Sequence, residues 1–382
     1  MSHTARNALL VTHYFQSHGG GVEIVAGELA RRLADRGASI EWFASATDVP
    51  PNHPGVVCRP QAALNVTERR LGVPFPVWSP ASFFRLARAV RRASVVHIHD
   101  AVYVANFVAA MLALVLRKRL VVTQHVGFVP FRSAVLRVAL AAANQIAVRA
   151  VLRRADATVF VSPVVRRYFE RLAGPSERYA DVANGVDGEL FSMSQPEHRL
   201  AARRGLGLRD TQPMMLFVGR FVEKKGLDLV RKIAVRTPEW RWYMAGDGAI
   251  DPAAWGLDNV RVLGRVSQQS LAGLYAAADM LVLPSVGEGF PLVVQEALSA
   301  GLPVAVHVET REAGALPSSV CAAEDVRGAD AVDRWVNALR RFVQAAPAEQ
   351  RARRDACREL ASRRWSWEAT CERYDRLLFG DA

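Results

Sequence analysis

Cysteine is scarce: Cys58, Cys321, Cys357 and Cys371 are the only four in 382 residues, and none forms a C-x-x-C pair. That spacing excludes a disulfide framework or a zinc site, and it suits a reducing compartment. Long apolar runs are missing too. The longest uncharged stretch, Ala101 to Leu116, is sixteen residues and includes Asn106, short of the roughly 20 a spanning helix needs, so it reads as a core helix. At the N-terminus one Arg precedes only Ala8-Leu9-Leu10-Val11, the pattern of a buried strand rather than a signal peptide. A soluble, cytoplasmic protein is expected. Neither G-x-G-x-x-G nor G-x-x-x-x-G-K-[ST] occurs, which counts against NAD enzymes and P-loop NTPases. No Asp-x-Asp pair offers a Mg²⁺ or Mn²⁺ site, so no metal or other cofactor is expected.

The length exceeds what one core usually serves, so two domains are expected. The net charge of +12 is uneven: residues 1–190 hold 23 Lys and Arg against 13 Asp and Glu, whereas the remainder is nearly balanced. A basic excess in one half fits either an anionic partner or a solvated arginine-rich face.

Short β-branched runs alternate with helical patterns in both halves. Strands are expected at Leu9–Thr12, Ile40–Ala44, Val95–His99, Leu120–Thr123 and Thr158–Val161, then at Met214–Val218, Trp242–Ala245, Val260–Leu263, Met280–Leu283 and Val304–Val306. Val22, Val25, Ala26, Leu29, Ala30 and Leu33 share one helical stripe that closes at Gly37. Further helices are expected at Gly226–Val235, Gln268–Ala278 and Leu292–Ala300, and a final one towards Phe379. The alternation predicts an α/β protein with two doubly wound parallel sheets, whose ligands sit beyond the carboxyl ends of strands. The polar stretch Ser192–Gln212 reads as the linker.

Three segments can carry chemistry. Gly19-Gly20-Gly21 follows the first strand and opens a helix, where backbone N–H groups can approach an anion. Val218-Gly219-Arg220 ends a strand and Lys224-Lys225-Gly226 opens the next helix, placing a planar fork and point charges at one junction. Pro284-Ser285-Val286-Gly287-Glu288-Gly289-Phe290-Pro291-Leu292-Val293-Val294-Gln295-Glu296 puts two glutamates on one loop-to-helix element, and ionised carboxylates accept hydrogen bonds from hydroxyls. A first-turn helix acid explains Glu296 equally well, but not Glu288 in its glycine-flanked loop.

Together these motifs resemble family 4 of the retaining glycosyltransferases. The E-x7-E pair is Glu288 and Glu296, and the resemblance extends through Val96-His97-Ile98-His99-Asp100, Thr123-Gln124-His125, Asn184-Gly185-Val186-Asp187 and Ala245-Gly246-Asp247-Gly248. Pro291 and Gln295 stand where the family often has Gly and Leu, and His125 is followed by Val126-Gly127 rather than directly by glycine.

The resemblance implies the GT-B architecture, two Rossmann-like domains facing a central cleft, with a C-terminal helix returning to the first. The domains would be 1–191 for the acceptor, 192–364 for the nucleotide sugar, and 365–382 for that helix. It implies a catalytic set of His125, Arg220, Lys225 and Glu288. Arg220 and Lys225 would bind the donor diphosphate, Glu296 the ribose, and Glu288, with Gly289, Phe290, Pro291 and Leu292 around it, the sugar. Gly264-Arg265-Val266 would read the base, Gly20 and Gly21 would approach the phosphates, and His125 would lie beside the reacting sugar. His97 and His99 read as structural.

The expected activity is hexosyl transfer, with retention, from a GDP- or UDP-sugar to a lipid-linked glycan or glycolipid acceptor of cell-envelope polysaccharide synthesis. Arg69-Arg70, Arg85, Arg88 and Arg91-Arg92 beside Phe75-Pro76-Val77-Trp78 and Phe83-Phe84, with a second stretch from Phe128 and Phe131-Arg132 to Arg153-Arg154, suggest an anionic membrane surface and a peripheral place on the inner face of the cytoplasmic membrane. Aromatics in the core and solvated arginines are the competing reading. No nucleic acid partner is expected. A soluble small-molecule acceptor, or a non-catalytic protein binding anionic surfaces, are the alternatives.

Overall fold

The structure, a computed structural model, describes residues 6–65, 75–127, 134–191 and 196–380. The chain divides into two compact units, Met1–Gly185 with Glu368–Ala382, and Val186–Trp367.

In the first unit the strands are Asn7–Val11 (β1), Ser39–Ser45 (β2), Val56–Gln61 (β3), Ala63–Leu64 (β4), Val77–Trp78 (β5), Val95–His99 (β6), Arg119–Gln124 (β7), Ala157–Phe160 (β8) and Tyr179–Asp181 (β9). Seven form one sheet in the order β3-β2-β1-β6-β7-β8-β9, with every pairing parallel, while β4 and β5 pair antiparallel. Helices cover both faces of such a sheet, so its inner strands are apolar throughout; β6 and β8 are buried at every position. The helix Gly21–Asp35 buries the expected stripe from Val25 to Leu33 and also, unexpectedly, Glu23. The apolar stretch after β6 is the core helix Val104–Val115, packed through Ala105, Ala109, Ala110 and Ala113.

The second unit holds Met214–Val218 (β10), Arg241–Ala245 (β11), Val260–Gly264 (β12), Met280–Leu283 (β13), Val304–His307 (β14) and Cys321–Glu324 (β15). They form a parallel sheet in the order β12-β11-β10-β13-β14-β15. Strand order reverses between β1 and β6 in one sheet and between β10 and β13 in the other. At such a reversal the flanking connections diverge, which opens a crevice at the carboxyl ends of the strands.

The stretch Ser192–Gln212 is not a free linker. It contains the helix Pro196–Gly205, built into the second unit by two arginines. The Arg203 guanidinium is buried and donates to the carbonyls of Ala277 (2.9 Å), Arg209 (2.8 Å) and Asp210 (3.3 Å). Arg199 donates to the carbonyls of Ala276 (3.0 Å), Ala277 (2.9 Å) and Ala278 (2.6 Å), and Asp279 pairs with both arginines. Arg354 adds a bond of 2.6 Å to Ala278 O. The last turn of the helix Gln268–Ala277 leaves carbonyls without intrahelical partners, and cations are favoured at that end.

The expected boundaries, 191/192 and 364/365, therefore move by a few residues. The Val186 N–H donates to Trp365 O (2.8 Å), and Phe191 meets Tyr275 edge-on, which keeps both crossing segments in the second unit. The terminal helix Trp367–Phe379 belongs to the first unit from Glu368 onwards: Tyr374 Oη lies 3.1 Å from Thr123 Oγ1, Arg119 donates to Leu377 O (2.9 and 3.0 Å), and Asp375 pairs with Arg6. Among the described residues no helix is long and apolar enough to cross a membrane.

Arg203→Met should lower the urea midpoint by an amount equivalent to about 3 kcal/mol, because it strips several buried carbonyls of their donor and Asp279 of a partner. An unchanged midpoint would show that the clamp contributes nothing.

Candidate functional site

The diphosphate and sugar segments expected in the second unit lie at the β10/β13 reversal, whereas Gly264-Arg265-Val266 follows the edge strand β12. After β10 the chain runs through Gly219 and Arg220 into a short turn, Glu223–Lys225, that opens the helix Leu227–Arg236. After β13 comes the loop carrying Ser285 and Glu288, then the helix Leu292–Ser299 with Pro291 as its N-cap. The two loops are laced together. The Val286 N–H donates to Lys224 O (3.0 Å), and a Cβ at Gly226, already at φ 75°, would stand 2.5 Å from Pro284 O. Only glycine fits there. Gly246 is equally constrained, since a Cβ on it would strike the Gly219 carbonyl.

This lacing focuses charge on Glu288. Its Oε1 lies 3.0 Å from Lys225 Nζ and 3.5 Å from Lys224 Nζ, and it accepts a hydrogen bond from Ser285 Oγ at 2.8 Å. Burial would raise the Glu288 pKa, but the two ammonium groups outweigh it and hold the carboxyl well below the usual range. Burial lowers the Lys225 pKa, with Glu288 opposing. The pair is ionised. One carboxylate thus faces two lysines, with the exposed Arg220 near enough to repel the charge on Lys225. The balance is positive, as an anionic ligand requires.

Glu296 has the opposite environment. It sits one turn into its helix, 7% exposed, and accepts a hydrogen bond from Tyr275 Oη at 2.8 Å. Burial pushes its carboxyl up to about 7. Tyr275 and Ser285 were not singled out from the sequence. A tyrosine on a helix otherwise bearing Leu and Ala on its buried face is the signal, since a buried hydroxyl seeks a partner.

The remaining donor residues fall in several places. Gly264 closes β12 and its carbonyl accepts from Gly246 N (2.8 Å); Arg265 pairs at the surface with Asp247 (3.1 Å), and Val266 is half-buried beside it. Gly289 and Pro291 are buried and Leu292 half-buried. The Phe290 ring turns into the core against Trp365, with centroids 5.4 Å apart, so it can offer a ligand only its backbone.

In the first unit a second cluster occupies the β1/β6 reversal. Gly20 is the N-cap of the helix Gly21–Asp35, and the Glu23 carboxylate fills the space a Cβ on Gly20 would need. Glu23 Oε1 pairs with His13 Nε2 at 2.7 Å, both 4% exposed, and His13 stacks on Tyr103 at 3.9 Å. Burial would raise the Glu23 pKa, yet His13 lowers it overall. The glycines expected to meet phosphate therefore border a carboxylate in this structure, and exposed Gly21 is the more accessible of the two. His13 gave no motif in the sequence.

Beyond β6, Asp100 takes a left-handed backbone (φ 61°), a rare state that aspartate tolerates better than most residues. Its Oδ1 accepts from His125 N at 2.7 Å. His125 Nε2 lies 2.8 Å from His99 Nδ1, and His97 Nε2 lies 2.8 Å from Thr123 Oγ1. Burial drives His97 and His125 down to about 3 and His99 well below its usual value, and lifts Asp100 to about 7. The structure thus brings His99, expected to be structural, into direct contact with His125.

Two parallel sheets, each with polar groups converging at its reversal, are the architecture of the GT-B glycosyltransferases. The profile of Glycosyltransferase Family 4 matches residues 19–190 and that of Glycosyl transferases group 1 matches 212–345. A D-inositol 3-phosphate glycosyltransferase of Mycobacterium avium is 30% identical across 92% of this chain and 87% of its own. A GDP-mannose-dependent monoacylated alpha-(1-6)-phosphatidylinositol monomannoside mannosyltransferase of Corynebacterium glutamicum is 29% identical over 58% of this chain and 62% of its own. Among solved structures, sucrose-phosphate synthase from Thermosynechococcus elongatus superposes with TM-score 0.79 at 21% identity, over 97% of this chain and 98% of its own. Anabaena HepE in complex with UDP-glucose gives 0.75 at 15% identity, over 96% and 97%. The chain belongs to glycosyltransferase family 4 and is a glycosyl-transferring enzyme.

The buried histidines make a pH prediction. Their folded pKa values lie below the unfolded value of about 6.5, so between there and about 3 the unfolded chain binds more protons and stability falls as pH falls. Asp100, raised to about 7, works the other way, its stabilisation being lost as pH rises towards 7. Three histidines outnumber that one carboxyl, so the urea midpoint of the first unit's transition should drop from pH 6.5 to 4, and less steeply in His97→Asn. A flat profile would mean the imidazoles are not buried neutral.

Proposed function

We propose that this enzyme moves a hexosyl unit from a nucleoside diphosphate sugar, a GDP- or UDP-sugar, to a lipid-linked or glycolipid acceptor, retaining the anomeric configuration and needing no metal. The observation that carries the donor reading is the concentration of positive charge at the β10/β13 reversal, where Lys224 and Lys225 both meet Glu288 and Arg220 lies near Lys225. A leaving diphosphate adds the anionic charge that this site lacks. Lys225 and Arg220 stabilise it as it departs, a contribution of preorganised electrostatics rather than covalent chemistry. Glu288 accepts hydrogen bonds from sugar hydroxyls while buffering Lys225. Glu296, poor in cations and backed by Tyr275, suits the neutral ribose hydroxyls. With no carboxylate nucleophile assigned, the leaving phosphate itself takes the acceptor proton on the same face of the sugar. Relatives support a nucleotide-linked donor: one is GDP-mannose-dependent, and HepE binds UDP-glucose.

Arg220→Ala and Lys225→Ala should each cost on the order of 10²–10³ in turnover at saturating donor. EDTA should leave the wild type unaffected. Activity within a few-fold of wild type in both variants would remove them from the mechanism. Calorimetry with the bare nucleoside diphosphate separates the glutamates, with Glu296→Gln weakening binding and Glu288→Gln largely preserving it. Equal binding by both variants and the wild type would end the ribose assignment.

For the acceptor, a phosphatidylinositol mannoside in one relative's name favours a lipid, and the basic first unit favours an anionic leaflet. On the helix Pro80–Arg92, Phe84 is 75% exposed, and Arg85, Arg88, Arg91 and Arg92 all face solvent. Trp78, by contrast, is core, and Phe75 and Phe83 are half-buried. Arg69-Arg70, Phe128 and Phe131-Arg132 lie outside the described residues. This surface would hold the enzyme at the inner face of the cytoplasmic membrane. The name of the Mycobacterium avium relative, matched over more of this chain, favours a second reading with a soluble inositol phosphate as acceptor. Liposome flotation discriminates: binding to phosphatidylglycerol vesicles should weaken with salt and with the Arg85/Arg88/Arg92→Glu triple variant. No binding at low salt, together with efficient transfer to a soluble inositol phosphate, would select the second reading.

A further inference from the structure

The contact between His99 and His125 fixes more than ring position. Their nitrogens lie 2.8 Å apart with the rings inclined by only 19°, so one proton sits between two imidazoles and one of them must donate it. The other nitrogen of His99, Nε2, is buried and has no partner among the described residues. A proton there would be an N–H with no acceptor, the orphan that folded proteins most rarely keep. The His99 proton therefore lies on Nδ1 and is donated to His125 Nε2. A neutral imidazole that accepts at Nε2 carries its own proton on Nδ1.

The surroundings hold this arrangement rigidly. Asn106 Nδ2 donates to the carbonyls of His99 (2.5 Å) and Asp100 (3.1 Å), fixing the backbone that carries His99. The His99 ring is backed by His97 at 4.5 Å, which is itself bonded through Thr123 to Tyr374 of the terminal helix. The Asp100 carboxylate fixes the His125 backbone at 2.7 Å. His125 keeps a 5% exposure with Nε2 already engaged.

We propose that His99 is a positioning residue that sets the tautomer of His125, so that His125 presents Nδ1–H as a hydrogen-bond donor to an oxygen of the reacting sugar. This rests on the reading above that places His125 beside that sugar. Both imidazoles resist protonation because they are buried, so the donor is a neutral N–H across the working pH range.

¹⁵N NMR of histidine-labelled enzyme tests the tautomers without any substrate. His125 and His99 should both show protonated Nδ1 and bare Nε2. His99→Leu should replace the single His125 tautomer by a mixture and lower kcat by about tenfold or more, with the donor KM little changed. His99→Asn, whose amide N–H₂ can stand near the lost Nδ1, should restore both. A wild-type spectrum with the proton on His125 Nε2 overturns the proposal even if the variants fail to fold, and so does an unaltered His125 tautomer in His99→Leu. Near-normal turnover by His125→Ala would instead overturn the placement of His125 at the sugar, whatever the spectra show.

Discussion

In a parallel sheet every strand ends at the same edge, and where successive connections leave in opposite directions that edge stays uncovered. Both sheets here have one such gap, beside β1 and beside β10, and the functional side chains depend on it. Residues that would be costly elsewhere are placed there: a left-handed aspartate, neutral imidazoles in contact, a carboxylate between lysines. The apolar strands supply the rigidity that keeps them in position. Val218 and Leu283, the last residues of β10 and β13, are buried, and the polar loops start at once.

Glu288 and Glu296 show how one short segment yields two chemistries. The first lies in a loop that meets the Lys224-Lys225 turn, and the second is carried by its helix away from any cation to a phenol. Their acidities diverge in opposite directions for that reason. A permanent anion and a carboxyl that changes charge near neutrality therefore sit eight residues apart, and neither behaviour is encoded by glutamate itself.

Much of this was legible in sequence because central parallel strands read as continuous apolar runs, and all ten of the strands inferred that way exist. The missing ones are the two-residue strands of the β4–β5 pair and three edges of the large sheets. β3 carries Arg59 and Pro60, β9 has three residues, and β15 reads Cys-Ala-Ala-Glu. Edge strands are kept short, charged or proline-bearing, which removes the pattern that reveals the others. The linker was misjudged for a related reason, because Arg199 and Arg203 look like solvated charge until the carbonyls they cap are seen. Arg220, Lys225, Glu288 and Glu296 could be named from their spacing. Tyr275, the partner of Glu296, and the His13–Glu23 pair could not, because these contacts join segments with no pattern between them.

The helix Trp367–Phe379 has a consequence for the order in which the molecule is made. It supplies Tyr374 to Thr123, the Leu377 carbonyl to Arg119 and Asp375 to Arg6, yet it is synthesised after the whole of the second unit. Chains leave the ribosome N-terminus first, and domains fold as units. The second unit therefore has every segment in hand while the first still waits for its last piece. The histidine that begins the Thr123–Tyr374 chain packs against His99, so this side of the first unit is completed only after all of the second unit has been made.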